Sequence, residues 1–198
     1  MIRLCCVLLL VLALLSCKER PQEEARPVSI DATGSVYGEI KERLLREPNN
    51  PDLWYHLADL YERNGAYREE IEALKKTLQL KPDMGYAYFK MAVAYNRLSM
   101  PDEALDAFKK AMKYMPQNPV LYNNMAIAYG KKGLIQEEIR SLKKALSLRP
   151  GYATARYNLA IAYLKAGNRD AAMEEYRRLK EIDEGLAGQL LKELGGKR

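Results

Sequence analysis

Four stretches of this chain superimpose on one another at a spacing of 34 residues, with no insertion or deletion between them. Trp54, Tyr88, Tyr122 and Arg156 fall in one register, and Leu57, Met91, Met125 and Leu159 in the next. Ala58, Ala92, Ala126 and Ala160 follow, then Tyr61, Tyr95, Tyr129 and Tyr163, with Pro82, Pro116 and Pro150 marking the stops. A fixed period of this length, with large–x2–large–small–x2–Tyr and a terminal proline, is the mark of helical hairpins stacked into a solenoid. Each hairpin buries its apolar face only against its neighbours, and the stack offers a curved surface with no built-in chemistry. An all-α binding module is therefore expected before any site is considered.

Leu57, Ala58 and Tyr61 sit three, four and seven residues after Trp54, which is one helical face. Asn50-Pro51 and Asn118-Pro119 set a capping acceptor before a proline whose missing N–H costs nothing at the first helical position. Gly65, Gly133 and Gly167 stand where a left-handed residue must end the first helix of a hairpin. Ser99 replaces that glycine in the second unit, where Pro101 opens the next helix instead. The unit Trp54-x2-Leu57-Ala58-x2-Tyr61, with Leu74 and Pro82, resembles the tetratricopeptide repeat. That resemblance implies a right-handed superhelical solenoid of four repeats, each a helix A and a helix B, over 51–84, 85–118, 119–152 and 153–186. A front capping helix is expected over 34–48, and a capping helix with tail over 184–198 carrying Leu186, Leu190, Leu191 and Leu194.

Two departures from the repeat stand out. The small position on helix B is Ala104 and Ala172 in two units but Glu70 and Glu138 in the others. Each glutamate must snorkel to solvent or find a cation. The fourth unit replaces the proline with Glu184 and carries Leu179 where the others have Thr77, Ala111 and Ala145. The larger side chain suits contact with a different neighbour, the closing helix.

The amino terminus reads as an export signal. Met1-Ile2-Arg3 is short and basic, and Leu4 to Leu15 is an apolar run of twelve. A membrane-spanning helix needs about 20 apolar residues, so the run is too short to cross. Its flanks are those of a secretory signal. Leu14-Leu15-Ser16-Cys17 resembles the bacterial lipobox, which implies cleavage after residue 16 and lipid on Cys17. Lys18 in place of aspartate implies the outer membrane, facing the periplasm. Cys5 and Cys6 leave with the signal, so the mature domain has no thiol for a disulfide or metal. Residues 17–33 are polar, contain Pro21 and Pro27, and read as a disordered tether. Its reach is about 20 Å, from ~5–6 Å × √n.

The net charge of +6 falls to +5 without Arg3. Cations recur at fixed positions: Arg63, Arg97, Lys131 and Lys165 near the ends of the A helices, and doublets Lys75-Lys76, Lys109-Lys110, Lys143-Lys144 and Arg177-Arg178 on the B helices. Either row could meet phosphate-bearing partners. The doublets equally read as a solvated face, since Glu72→Lys76, Asp106→Lys110 and Glu174→Arg178 are favourable i,i+4 pairs that only Arg140 and Lys144 break. Nucleic acid is not expected outside the cytoplasm.

The resemblance further implies that ligand lies along the concave side, against helix A. The positions that point there are Tyr55, Phe89, Asn123 and Tyr157; His56, Lys90, Asn124 and Asn158; and Asp59, Val93, Ile127 and Ile161. The clamp by which one subclass holds a C-terminal carboxylate needs lysine and asparagine where Tyr55 and Asp59 stand, so it is absent. An aromatic and aliphatic floor flanked by amides suits an extended or helical peptide. Asn124 and Asn158 are placed to hold its backbone.

No catalytic set emerges. His56 is the only histidine, no glycine-rich loop resembles a nucleotide cradle, and no cofactor or metal is expected. The 14 tyrosines against two phenylalanines largely occupy repeat positions. The reading is a membrane-anchored, non-enzymatic adaptor of the bacterial envelope that binds a peptide or protein partner and assists assembly of an envelope complex. The resemblance implies company such as pilotin-like lipoproteins or lipoproteins that tether cell-wall enzymes. The alternative is a non-catalytic recognition subunit of an envelope enzyme or glycan-assembly complex. Self-association is compatible with either.

Overall fold

The computed structural model describes residues 32–195 of the chain. The expected signal segment 1–16, Cys17, the expected tether up to residue 31 and the expected tail 196–198 lie outside the described residues. Every regular element within them is a helix: α1 (Ala32–Arg46), α2 (Pro51–Arg63), α3 (Tyr67–Leu80), α4 (Gly85–Arg97), α5 (Pro101–Tyr114), α6 (Pro119–Lys131), α7 (Ile135–Leu148), α8 (Ala153–Lys165), α9 (Arg169–Lys180) and α10 (Glu184–Gly195). Four hairpins, α2/α3, α4/α5, α6/α7 and α8/α9, stack so that each B helix packs on the next A helix. The front helix starts at Ala32, ahead of the expected residue 34, and packs on α2.

The local chemistry follows from the caps. Asn50 Oδ1 accepts from the N–H groups of Asp52 and Leu53, and Asn118 Oδ1 from those of Val120 and Leu121. Asn168 caps α9 in the same manner, which spacing alone had not marked. At each A-to-B turn the repeat tyrosine lends its carbonyl to a residue five positions on: Tyr61 to Ala66, Tyr95 to Met100, Tyr129 to Leu134 and Tyr163 to Asn168. Closing that loop requires a left-handed residue, and Gly65, Gly133 and Gly167 supply φ of 69°, 71° and 76°. The second unit does not escape the requirement through Pro101. Ser99 itself adopts φ 56°, at a cost of about 1 kcal/mol or more for a residue with a Cβ.

A-to-B contact is close because Ala58, Ala92, Ala126 and Ala160 are fully or almost fully buried. The first large residue of a unit reaches back to the end of the previous one. Trp54 donates to the Pro48 carbonyl at 2.9 Å, Tyr122 to Pro116 at 3.0 Å and Arg156 to Pro150 at 2.7 Å. In the second unit Tyr114 makes that bond to Pro82 while Tyr88 stacks flat against it, ring centroids 6.2 Å apart. At the far end Leu179 is completely buried against α10, whose inner stripe is Ala187, Leu190 and Leu194. Leu191 was expected on that stripe. It lies 47 % exposed, because it follows Leu190 by one residue and so points about 100° away.

Candidate partner-binding groove

Helices α2, α4, α6 and α8 carry the twelve positions expected to face a ligand. Tyr55, Phe89, Val93, Tyr157 and Ile161 are half-buried and pack on the core, so the floor is continuous with the fold. Phe89 meets Phe108 at a centroid distance of 6.1 Å. His56 and Ile127 are exposed. Asn123 is not part of the surface: only 4 % of it is exposed, and its Oδ1 accepts from Asn158 Nδ2 at 2.9 Å. That bond locks α8 to α6. Asn124 Nδ2 donates to the Val120 carbonyl of its own helix, and Asn96 Nδ2 donates to the Asn124 carbonyl across the repeat boundary. Both groove amides therefore have one donor committed, which holds their rotamers and leaves Oδ1 of Asn124 or Asn158 as an acceptor for a backbone N–H.

At the front, Lys90 bridges back from α4 to Asp59 and Glu62 on α2, with its ammonium 5.6 Å from the centre of the Tyr55 ring. Burial works against its charge, but the two carboxylates outweigh it and hold Lys90 above the ordinary lysine value. Beneath them lies Glu70. It neither snorkels nor finds a cation: it is 2 % exposed, and its Oε2 has no partner among the described residues. Burial pushes its carboxyl up to about 7, with Glu62 and Asp59 adding to the rise and Lys90 opposing it.

The same repeat position behaves differently further back. Glu138 accepts from Lys165 Nζ at 2.9 and 3.3 Å. Its carboxyl fits because Gly130 faces it, and a Cβ there would stand 2.9 Å from the carboxyl atoms. Gly130 occupies the register filled by Glu62, Asn96 and Leu164 in the other units. The missing side chain opens a cavity of about 280 Å³ between the third and fourth repeats. Ala126, Ile127, Leu142 and Ile161 form its apolar lining, and Asn158, Lys131, Lys165 and Glu138 its polar groups. Ile127, Asn158 and Ile161 were readable from the helical register. Gly130 and Glu138 are brought together only by the fold, although a lone glycine late in a helix with an anomalous glutamate eight residues on is a signal the sequence carries.

Half of the doublet cations are paired with carboxylates on their own helices. Lys75 pairs with Glu72 at 2.7 Å, Lys109 with Asp106 at 3.6 Å, and Glu174 takes both Arg177 and Arg178 at 2.9 and 3.1 Å. Three of these four pairs run i,i+3, one residue short of the expected spacing; Glu174 with Arg178 keeps i,i+4. Arg140, expected to break the pattern, pairs with Glu137 at 2.8 Å. Lys110 and Lys144 instead lie over the Tyr88 and Tyr122 rings. Among the described residues, no group of three His, Cys, Asp or Glu could hold a metal ion, and no helix is long and apolar enough to cross a membrane.

Four models of the tetratricopeptide repeat match the sequence, over residues 40–85, 86–118, 120–152 and 139–194. Among solved structures, a crystal structure of MamA superimposes with a TM-score of 0.74 at 25% identity, covering 79% of this chain and 91% of that one. YrrB, described as a TPR protein with an unusual peptide-binding site, superimposes at 0.72 with 18% identity over 81% of this chain and 84% of its own. The thermophilic TPR protein TTC0263 of Thermus thermophilus gives 0.64 at 22% identity, over 83% and 89%. No curated protein matches the sequence.

Proposed function

Taking the chain as the tetratricopeptide-repeat protein that the matches along 40–194 make it, we propose that it is a lipid-anchored, non-enzymatic scaffold of the bacterial envelope. Its concave A-helix face binds a peptide or protein partner and assists assembly of an envelope complex. The observation that carries this reading is the contrast between the two faces. Half of the B-helix doublet cations are matched by carboxylates one turn away and three more lie over tyrosine rings, whereas the A-helix face combines half-buried aromatic and aliphatic side chains, amide acceptors and an open cavity. Concave, mostly apolar surface with a few fixed polar groups is what peptide recognition uses. Cys17, after Leu14-Leu15-Ser16, is the anchor site in this reading, and the polar stretch behind it lets the solenoid hang close to an outer membrane.

Partner capture from membrane extract tests the groove. Replacing Phe89 and Tyr157 with alanine lowers affinity for the captured partner by about 2 kcal/mol, roughly thirtyfold. Phe89 also packs on Phe108, so circular dichroism is run alongside to separate lost binding from lost structure. Changing Lys109 and Lys110 to glutamate alters on-rate and salt dependence only. Binding that disappears with the charge changes and ignores the aromatic pair would move the partner to the B-helix face.

A further inference from the structure

The cations that end the A helices are satisfied unequally. Lys165 has Glu138, but Arg63, Arg97 and Lys131 have no carboxylate within 4.0 Å among the described residues. Lys131 lines the Gly130 cavity, and its ammonium bonds to a neutral acceptor, the Asn96 carbonyl. With the Glu138–Lys165 pair closed on itself, the cavity keeps one unmatched positive charge beside an apolar floor of Ile127 and Ile161. At about 280 Å³ it falls just under the ~300–1,000 Å³ usual for small-molecule sites, and it suits one side chain of a longer ligand.

We propose that this cavity is the specificity subsite of the groove and that its occupant is an acidic peptide segment. A large apolar side chain of the peptide enters over Ile127 and Ile161, and an adjacent carboxylate meets Lys131. Arg97, one repeat earlier on the same row, extends the positive field toward the amino-terminal end of the solenoid. The front of the groove, where Asp59 and Glu62 outnumber Lys90, repels a second carboxylate and so fixes which stretch of the ligand lies where. Anionic lipid offers the same charge, but the cavity floor is recessed between α6, α7 and α8, where a flat bilayer surface has no access. Of the four repeats only the third has a glycine at this register, so the subsite occurs once and sets the position of the ligand. The proposal rests on the groove reading above.

The test uses the full-length protein and short fluorescein-labelled peptides with a Leu-Asp-Leu, Leu-Asn-Leu or Leu-Lys-Leu centre in a Gly-Ser frame, read by anisotropy. The acidic peptide binds about tenfold or more tighter than the basic one, and the gap narrows as salt rises. Lys131→Glu reverses the order. Gly130→Leu, which installs the residue of the fourth repeat, removes binding of all three. If that variant loses helix content, Lys131→Gln carries the test, because Lys131 is exposed and its loss removes the preference for acid without touching the core. A basic peptide that binds as well as the acidic one overturns the proposal, as does an unchanged order in Lys131→Glu or no binding by any peptide. Binding to phosphatidylglycerol vesicles without binding to the acidic peptide also overturns it and assigns the row to lipid. In each of those cases the groove reading stands if partner capture still depends on Phe89 and Tyr157. If capture ignores that pair, the groove reading has itself failed.

Discussion

Arg156 and Glu175 form a buried ion pair that crosses from α8 to α9 inside the fourth repeat. Nη1 of the arginine lies 2.7 Å from Oε2 of the glutamate, and each residue is 8 % exposed. Arg156 stands where the other repeats have Trp54, Tyr88 and Tyr122, and Glu175 where they have Ala73, Ala107 and Ser141. Two charges have replaced an aromatic ring and a small residue, and each requires the other.

Removing one partner therefore strands a charge. Glu175→Ala is expected to lower unfolding free energy by about 3–5 kcal/mol, because Arg156 stays buried with only the neutral Pro150 carbonyl for a partner, and Arg156→Ala by less, because Glu175 keeps Arg178 at 3.8 Å. The double change Arg156→Tyr with Glu175→Ala restores the pattern of the other repeats and is expected to be neutral or stabilising. Chemical denaturation of the three variants decides between these outcomes. A double variant as unstable as the single ones would mean that the pair supplies net stability.

Glu70 makes stability depend on pH in a defined window. Its folded-state value of about 7 lies above the ordinary 4.5, so between those values the folded protein binds more protons than the unfolded chain. Stability then falls as pH rises from about 4.5 to about 7, by roughly 3 kcal/mol at most, and is flat in this contribution on either side. Glu70→Gln keeps the shape and removes the charge, so it is expected to flatten the profile and to stabilise the protein at pH 8. Thermal denaturation from pH 4 to 8 measures both effects. A Glu70→Gln profile that parallels the parent curve would place the pH dependence elsewhere.

Ser99 holds a left-handed conformation that glycine holds in the other three repeats. Ser99→Gly is expected to stabilise by about 0.5–1 kcal/mol, a gain reduced by the extra freedom of glycine in the unfolded chain. That corresponds to a rise in Tm of about 2 °C. No gain on calorimetry would mean that the contact of Lys131 with the Ser99 hydroxyl, 3.4 Å in length, offsets the backbone strain.

Cys17→Ala is expected to leave the protein unprocessed or released from the membrane, since acyl chains contribute ~0.8 kcal/mol per buried CH₂ and two or more make release negligible. Fractionation with mass determination of the product checks this. A variant that remains membrane-bound at the same processed mass would remove the lipid anchor from the reading.

The period of 34, the alternation of A and B helices, the Asn50 and Asn118 caps and the glycine turns were legible in the sequence, because each depends on residues close along the chain. In a solenoid, where contacts run between neighbours, such local rules determine nearly the whole backbone. Side-chain partnerships are different, since they join residues 19 to 35 positions apart whose meeting depends on how helices cross. Arg156 meets Glu175, Asn158 draws Asn123 out of the groove, and Lys165 reaches Glu138. Two glutamates at one repeat position looked alike in the sequence, and packing gave them opposite fates. Gly130 clears space for Glu138 beside a lysine, whereas the equivalent Glu62 crowds Glu70 with a second carboxylate. Burial and Coulomb energy depend on the full three-dimensional neighbourhood of a group. The helices could therefore be read from the chain, while the cavity and its unmatched charge were decided by the tertiary structure.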